Sequence, residues 1–235
     1  MIEIRHSKEP EALAQAKRDL KCTPDAAYCY RELRSDVKLA IREQLVIDQG
    51  SICAYCMRRI SACEEKTKAT IEHFIPQKRD GDDEGSLDYN NMYAVCDETK
   101  KGLGSEIGCD KSRGNRPLRI NPARQSDIDT IYYKADGKIC SSDPDINKDL
   151  DLVLNLNSEE RLLPKSRKRV WETIESDLRK LHCAKPNGNK SIIHKLERRI
   201  QSLESFRTEK PEFAGLLIWR YKKHVKKLKN KISAR

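Results

Sequence analysis

Cys53-Ala54-Tyr55-Cys56, Ile71-Glu72-His73-Phe74-Ile75-Pro76, Asn90-Asn91-Met92-Tyr93-Ala94-Val95-Cys96 and Cys109-Asp110-Lys111-Ser112-Arg113-Gly114-Asn115 are the stretch around which this chain of 235 residues is organised. Two chemistries are interleaved in it. Cys53 and Cys56 are separated by two residues, a spacing that forms a knuckle-like turn with both sulfurs facing one ion and points to tetrahedral zinc. Cys96 and Cys109 are a weaker second pair, because the long insertion between them has to loop out. Four thiols without metal are the alternative, and Cys63 is the substitute if one ligand is misassigned. The second chemistry is Glu72 beside His73 with a second carboxylate, Asp110, downstream, which suits a metal-assisted hydrolase. Neighbouring strand residues point to opposite faces, so both serve one site only if the backbone is locally irregular. Pro76 agrees with a strand that soon ends.

Working outward, residues 1–50 read as an N-terminal helical segment. One helix starts around Ser7 to Pro10 with Leu13 and Ala16 on one face. A second covers about 25–48, with Leu33, Val37, Ile41 and Leu45 at helical spacing and Gly50 as its stop. Residues 51–125 form the core unit: a polar loop over 57–69, a strand from Thr70 to Ile75, a returning strand over Met92 to Val95, and a helix from Cys109 or Asp110. The acidic run 80–85 lacks a full calcium-loop pattern and reads as solvated loop. Residues 126–235 begin with a hairpin, 128–134 and 138–140, turning at Asp136-Gly137. Helices follow at about 158–182, 190–207 and 211–230. Cys22, Cys29, Cys140 and Cys183 read as small buried residues.

Composition narrows the class. Nine cysteines cannot all pair, and no apolar run is long enough to span a bilayer. No secretion signal is recognised, so a soluble cytoplasmic protein with reduced thiols is expected. Residues 161–235 carry 22 Lys/Arg against 7 Asp/Glu, leaving 25 against 30 in the first 160. That asymmetry points to a polyanion such as nucleic acid, reached by Lys222, Lys223, Lys226 and Lys227. Two other readings stay open for this last helix. Its apolar start, Phe213 to Trp219, could dock a partner, or it could pack in the protein's own core while the lysines face water.

Together the Glu-His-Phe-Ile-Pro strand, Asn91 with Cys96, and Cys109-Asp110-x-x-Arg113-Gly114 resemble the HNH endonuclease superfamily. With Cys53-Ala-Tyr-Cys56 and the Ile120-Asn121-Pro122 exit, they are similar to the nuclease subunit family (PtuB) of Septu and Septu-containing retron antiphage systems. The similarity covers about residues 30–125. It implies an α+β protein in which a small zinc-stapled ββα-metal finger is embedded in a mainly helical chain. By the resemblance, His73 is the general base, Glu72 and Asp110 hold catalytic Mg²⁺ or Mn²⁺, and Ser112 is a rival for the second position. Asn91 braces the inter-strand loop, Arg113 contacts phosphate, and Cys53, Cys56, Cys96 and Cys109 hold structural Zn²⁺. It also implies phosphodiester hydrolysis in antiphage defence, on DNA in preference to structured RNA such as tRNA. The implied partners are an ABC/SMC-like ATPase (PtuA) in a hetero-oligomer and a retron RNA/DNA. The ATPase lies on another chain, since no Walker-type glycine loop occurs here. A non-catalytic zinc module for nucleic-acid or partner binding is the rival reading.

Overall fold

The computed structural model describes residues 1–64, 67–78, 81–97, 109–183 and 188–234. Helix α1, Glu11–Cys22, and helix α2, Ser35–Asp48, form the N-terminal layer. On α2, Val37, Ile41 and Leu45 recur every four residues and are buried together, which fixes the face the helix turns inward. The helix ends at Gly50, whose φ of +67° suits a residue without a side chain. A Cβ there would lie 2.4 Å from the Thr208 carbonyl oxygen, so the stop is also a packing contact with the C-terminal region.

The expected start of this helix near residue 25 is not observed. Residues 23–34 form an irregular segment with one 3₁₀ turn, Tyr30–Glu32. Their backbone amides go elsewhere: Tyr28 N–H donates to Asp82 and Tyr30 N–H to Ser86 Oγ, at 2.7 and 2.9 Å. Helical hydrogen bonding would forfeit those partners.

Strand β1, Ala69–His73, pairs antiparallel with β2, Met92–Cys96, in the register Ala69↔Cys96 through His73↔Met92. Short helix α3, Cys109–Arg113, packs on β2. Gln49 locks the end of α2 onto this unit. Its amide oxygen accepts from Ala94 N–H and its amide nitrogen donates to the Ala94 and Ile52 carbonyls, at 2.8–2.9 Å. Helix α4, Gln125–Ile128, then leads to a second two-stranded sheet, β3 (Ile131–Tyr133) with β4 (Ile139–Ser141). After α5, Pro144–Lys148, come three longer helices: α6 (Leu163–Cys183), α7 (Gly188–Glu204) and α8 (Ala214–Ser233).

The α+β expectation therefore holds at the level of helices with two small antiparallel sheets. One buried apolar cluster runs through all parts of the chain, from Leu13 and Ile41 through Tyr93 to Leu216 and Leu228. Helices α7 and α8 pack extensively on each other, and Phe213, Leu216 and Ile218 at the start of α8 are buried. Leu217 and Trp219 are half-buried, and Trp219 packs against Tyr133 and Trp171, with ring centroids 5.8 and 6.0 Å apart. This apolar start is thus occupied by the protein's own core and is not an open partner dock. No helix among the described residues is long and apolar enough to cross a membrane.

A candidate metal centre and a buried glutamate–histidine pair

Both sites are built on the β1–β2 pair, at opposite ends. At one end, Cys96 closes β2 opposite Ala69. The Cys53–Cys56 knuckle is held beside it, with Met57 N–H donating to the Cys53 carbonyl, Cys53 N–H to the Arg58 carbonyl and Ala54 N–H to the Ala94 carbonyl, at 2.9–3.1 Å. Met57 takes φ +61°, which turns the chain out of the knuckle. Cys109 arrives on the first turn of α3. The four sulfurs lie within 4.8 Å of one another, all on buried residues, and Cys56 and Cys96 are 3.6 Å apart. Tetrahedral zinc with Zn–S of about 2.3 Å needs S···S edges of roughly 3.8 Å. Donor type and spacing therefore fit a structural metal. Cys96 N–H points at Cys53 Sγ, 3.4 Å away, and Arg161 Nη2 at Cys109 Sγ, 3.2 Å away, both donors suited to thiolate sulfur.

Packed this closely, three of the four sulfurs are shifted from the ordinary thiol range. Burial pushes the Cys53 thiol up, and the neighbouring Cys109 does the same to Cys56. Cys109, accepting from Cys53 and Cys56, is held well below the ordinary thiol range. Cys63 is exposed and outside the cluster. Of the remaining cysteines, Cys29 and Cys140 are buried as expected, but Cys22 and Cys183 are exposed, because each falls at the last position of a helix.

At the other end of the sheet stand Glu72 and His73. The register is regular through both, so their side chains leave opposite faces without a bulge. Each is buried and engaged. Glu72 forms an ion pair with Arg113 from α3. Arg113 also donates to the His73 carbonyl (2.8 Å), the Phe74 carbonyl and the Arg116 carbonyl (2.9 Å). Only 1% of Arg113 is exposed. The expectation that Arg113 meets phosphate is therefore corrected: its guanidinium is spent inside the protein, closing the end of β1 onto α3.

His73 Nε2 lies 2.9 Å from the Ser86 carbonyl oxygen, which can only accept, so Nε2 carries the proton and Nδ1 the lone pair. Nδ1 accepts from the Gln77 side-chain amide at 2.8 Å. Tyr30 packs edge-on against the imidazole, 4.8 Å between centroids. Burial lowers the His73 pKa below its ordinary 6.5, against an opposing pull from Asp83. At neutral pH the ring is a neutral imidazole of fixed tautomer.

In the acidic run, Gly81, Asp82, Glu84 and Gly85 are exposed, as expected of a solvated loop, and Asp83 is the exception among the described residues. Asp83 is buried, accepts from Lys78 N–H at 2.8 Å, and offers its carbonyl to Ser86 Oγ at 2.7 Å. Asn91 clamps the same loop, accepting from Ile75 N–H (2.7 Å) and donating to the Ile75 and Gly85 carbonyls (3.1 and 3.0 Å). Asn91 thus fixes the residue before Ser86, and through Ser86 the imidazole.

Of the two expected carboxylate ligands for a catalytic divalent ion, Glu72 faces Arg113, while the Asp110 side chain lies outside the described residues. Ser112 donates to the Val153 carbonyl at 3.1 Å, so its hydroxyl is directed to the 149–153 turn. The four lysines of α8 divide. Lys222 pairs with Glu204 of α7 (2.7 Å), and Lys223 sits over the Trp219 ring (4.9 Å). Lys226 and Lys227 are exposed and in no ion pair among the described residues. A groove of about 1050 Å³ runs beside α8, lined by Lys222 and Lys226 but also by Glu197 and Glu204, and it holds neither Glu72 nor His73.

Sequence reasoning missed Gln77, Ser86, Tyr30 and Arg161. Only Tyr30, an aromatic among basic residues upstream, carried a local signal. Neither the models of known protein families nor the curated proteins compared with this chain include a match.

Proposed function

We propose that this protein is an HNH-type nuclease that hydrolyses phosphodiester bonds, with DNA favoured over structured RNA, in antiphage defence beside an ABC/SMC-like ATPase. The observation that carries the chemistry is the state of His73. It is buried, neutral, and fixed by the Ser86 carbonyl in the tautomer that leaves Nδ1 as a base. When water replaces the Gln77 amide at Nδ1, the imidazole can take its proton and the resulting hydroxide attacks phosphorus in line. The Asn91 clamp keeps the carbonyl that sets the tautomer in place. The sequence motifs that resemble HNH nucleases, with their strand, loop and helix order, support the same reading.

The reading brings with it a hard divalent cation, Mg²⁺ or Mn²⁺, which would neutralise charge building on the phosphate and leaving oxygen. Glu72 and Asp110 remain its proposed ligands.

A second reading has its own support. With Nδ1 held by Gln77 and Glu72 held by Arg113, the pair is satisfied as a purely structural element, as in a zinc module that binds nucleic acid without cutting it. One experiment separates the two. Wild type and His73→Ala, each with and without the ATPase, are incubated with plasmid DNA and with total tRNA in Mg²⁺. Mg²⁺-dependent cleavage by wild type, lost in the variant, supports the nuclease; binding without cleavage in every arm supports the module.

A further inference from the structure

Arg161 lies in the turn before α6, 52 positions beyond Cys109, and is 1% exposed. Its Nη1 donates to the Leu154 carbonyl at 2.8 Å, and its Nε has no hydrogen-bond partner. Nη2 points to Cys109 Sγ at 3.2 Å, with Cys96 Sγ at 4.0 Å. No carboxylate pairs with it among the described residues. A guanidinium stays charged, and a buried cation needs an anion close by. The sulfurs are what is there. Four thiolates around a divalent ion leave two net negative charges in the same enclosed volume, so each side lacks what the other supplies.

Two further contacts bring the C-terminal region to the same centre. Arg58, just past the knuckle, donates to the Arg161 carbonyl. Phe213 N–H donates to the Met57 carbonyl at 3.0 Å and Gly215 N–H to Met57 Sδ at 3.3 Å. The knuckle is thus held by the lead-in to α6 on one side and the start of α8 on the other.

We propose that Arg161 is the outer-shell counter-ion of the cysteine metal centre, through an N–H···S bond to Cys109, and that metal occupancy thereby holds the C-terminal helices on the β1–β2–α3 unit. Arg161 is a positioning residue, and its role rests on the reading of the four cysteines as a zinc site. Outer-shell partners of metal ligands typically change metal affinity by roughly 10- to 100-fold when removed. The linkage also runs the other way: a contact that favours the metal-bound form is itself favoured when metal binds, and should weaken when the metal leaves.

The test uses the full chain purified with its native metal, as wild type, Arg161→Lys and Arg161→Met. Zinc release is timed with a chromogenic chelator, and the Co²⁺-substituted proteins are compared by absorption. Arg161→Met is expected to release zinc roughly 10- to 100-fold faster, with Arg161→Lys between it and wild type. Losing the N–H···S bond should move the thiolate-to-cobalt charge-transfer band to longer wavelength, a change that repacking alone would not produce. An unchanged release rate and an unmoved band overturn the proposal. Should Arg161→Met not fold, wild type and Arg161→Lys decide it. Hydrogen exchange on wild type after zinc removal should then rise across 150–165 and the start of α8, and unchanged protection there overturns it. Native protein without zinc by elemental analysis would instead sink the zinc reading itself.

Discussion

The two ends of the β1–β2 pair solve the problem of buried polar groups in opposite ways. At the Cys96 end, four like donors converge on one point, and the protein supplies a single guanidinium against them. At the His73 end, the three expected site residues among those described each have a protein partner of complementary kind: Arg113 for Glu72, Ser86 and Gln77 for His73, Ile75 and Gly85 for Asn91. The first end gathers donors that suit a cation, whereas Glu72, His73 and Asn91 are already engaged by the protein. Convergence of unsatisfied donors marks a site that a metal finishes. Satisfied donors mark a site poised for chemistry only if a partner such as Gln77 gives way.

The largest effect should come from breaking the first end. Structural zinc contributes on the order of 10 kcal/mol in small finger peptides, comparable with the whole stability of a typical domain, about 5–15 kcal/mol. Cys56→Ser or Cys96→Ser should therefore lose zinc by elemental analysis and lose the cooperative melt by circular dichroism. Cys63→Ser, exposed and outside the cluster, should change neither. A Cys96→Ser protein that melts like wild type would erase the contrast between the two ends.

Next is Glu72. If its main role is to neutralise buried Arg113, Glu72→Gln strands a cation, at a cost of up to about 3–5 kcal/mol. Denaturant melts would show it. If Glu72 instead serves a catalytic ion, cleavage falls while the melt stays close to wild type. His73→Ala should reduce cleavage by about 10²-fold or more, with zinc content unchanged. Zinc loss in that variant would show that the two ends are not independent.

How much of this was legible from residue order depends on the range of the interaction. The periodicity of Val37, Ile41 and Leu45 and the Cys53–Cys56 spacing are local; the knuckle forms where expected, and the helix ends where expected although it starts at Ser35 and not near residue 25. The strand pair falls within two residues of its expected limits for the same reason. Arg113 misled because a basic residue near acidic and histidine positions looks like a phosphate ligand, when its partner is Glu72, 41 positions back. Within the acidic run, composition could not single out Asp83, the one described carboxylate there that is buried and accepts a backbone N–H. Arg161 was invisible, since nothing near it in the chain announces a sulfur partner 52 positions away.

The pH dependence sharpens the His73 end. Burial holds its folded pKa below the unfolded value near 6.5. The neutral ring therefore stabilises the fold above about pH 6.5, and that contribution is lost as pH falls through the lowered folded value. Cleavage should be flat near neutrality and fall on the acid side below pH 6.5. Asp83 pulls this pKa upward, so Asp83→Asn should move the acid limb to lower pH in a pH–rate profile. A limb unmoved by this variant would place the titrating group elsewhere.

The smallest effects belong to α8, and they bear on whether the His73 end has a substrate surface at all. Lys222 is tied to Glu204 at 2.7 Å and Lys229 to Glu197 at 2.8 Å, so these two lysines serve the α7–α8 contact. Both are about half exposed, and removing either should cost under about 1 kcal/mol. Of the four lysines expected to meet phosphate, Lys226 and Lys227 are exposed and in no ion pair among the described residues, with Lys223 held over Trp219 beside them. If they meet phosphates, Lys226→Ala with Lys227→Ala should weaken binding equally across sequences. The slope of log K against log salt should flatten by roughly 2, about 0.9 for each phosphate on duplex DNA that a lysine no longer neutralises. Lys222→Ala should leave that slope alone and lower the melt slightly. Equal affinity and equal slope for the double variant would mean that these lysines only face water, and the basic character of residues 161–235 would then say nothing about where nucleic acid approaches His73.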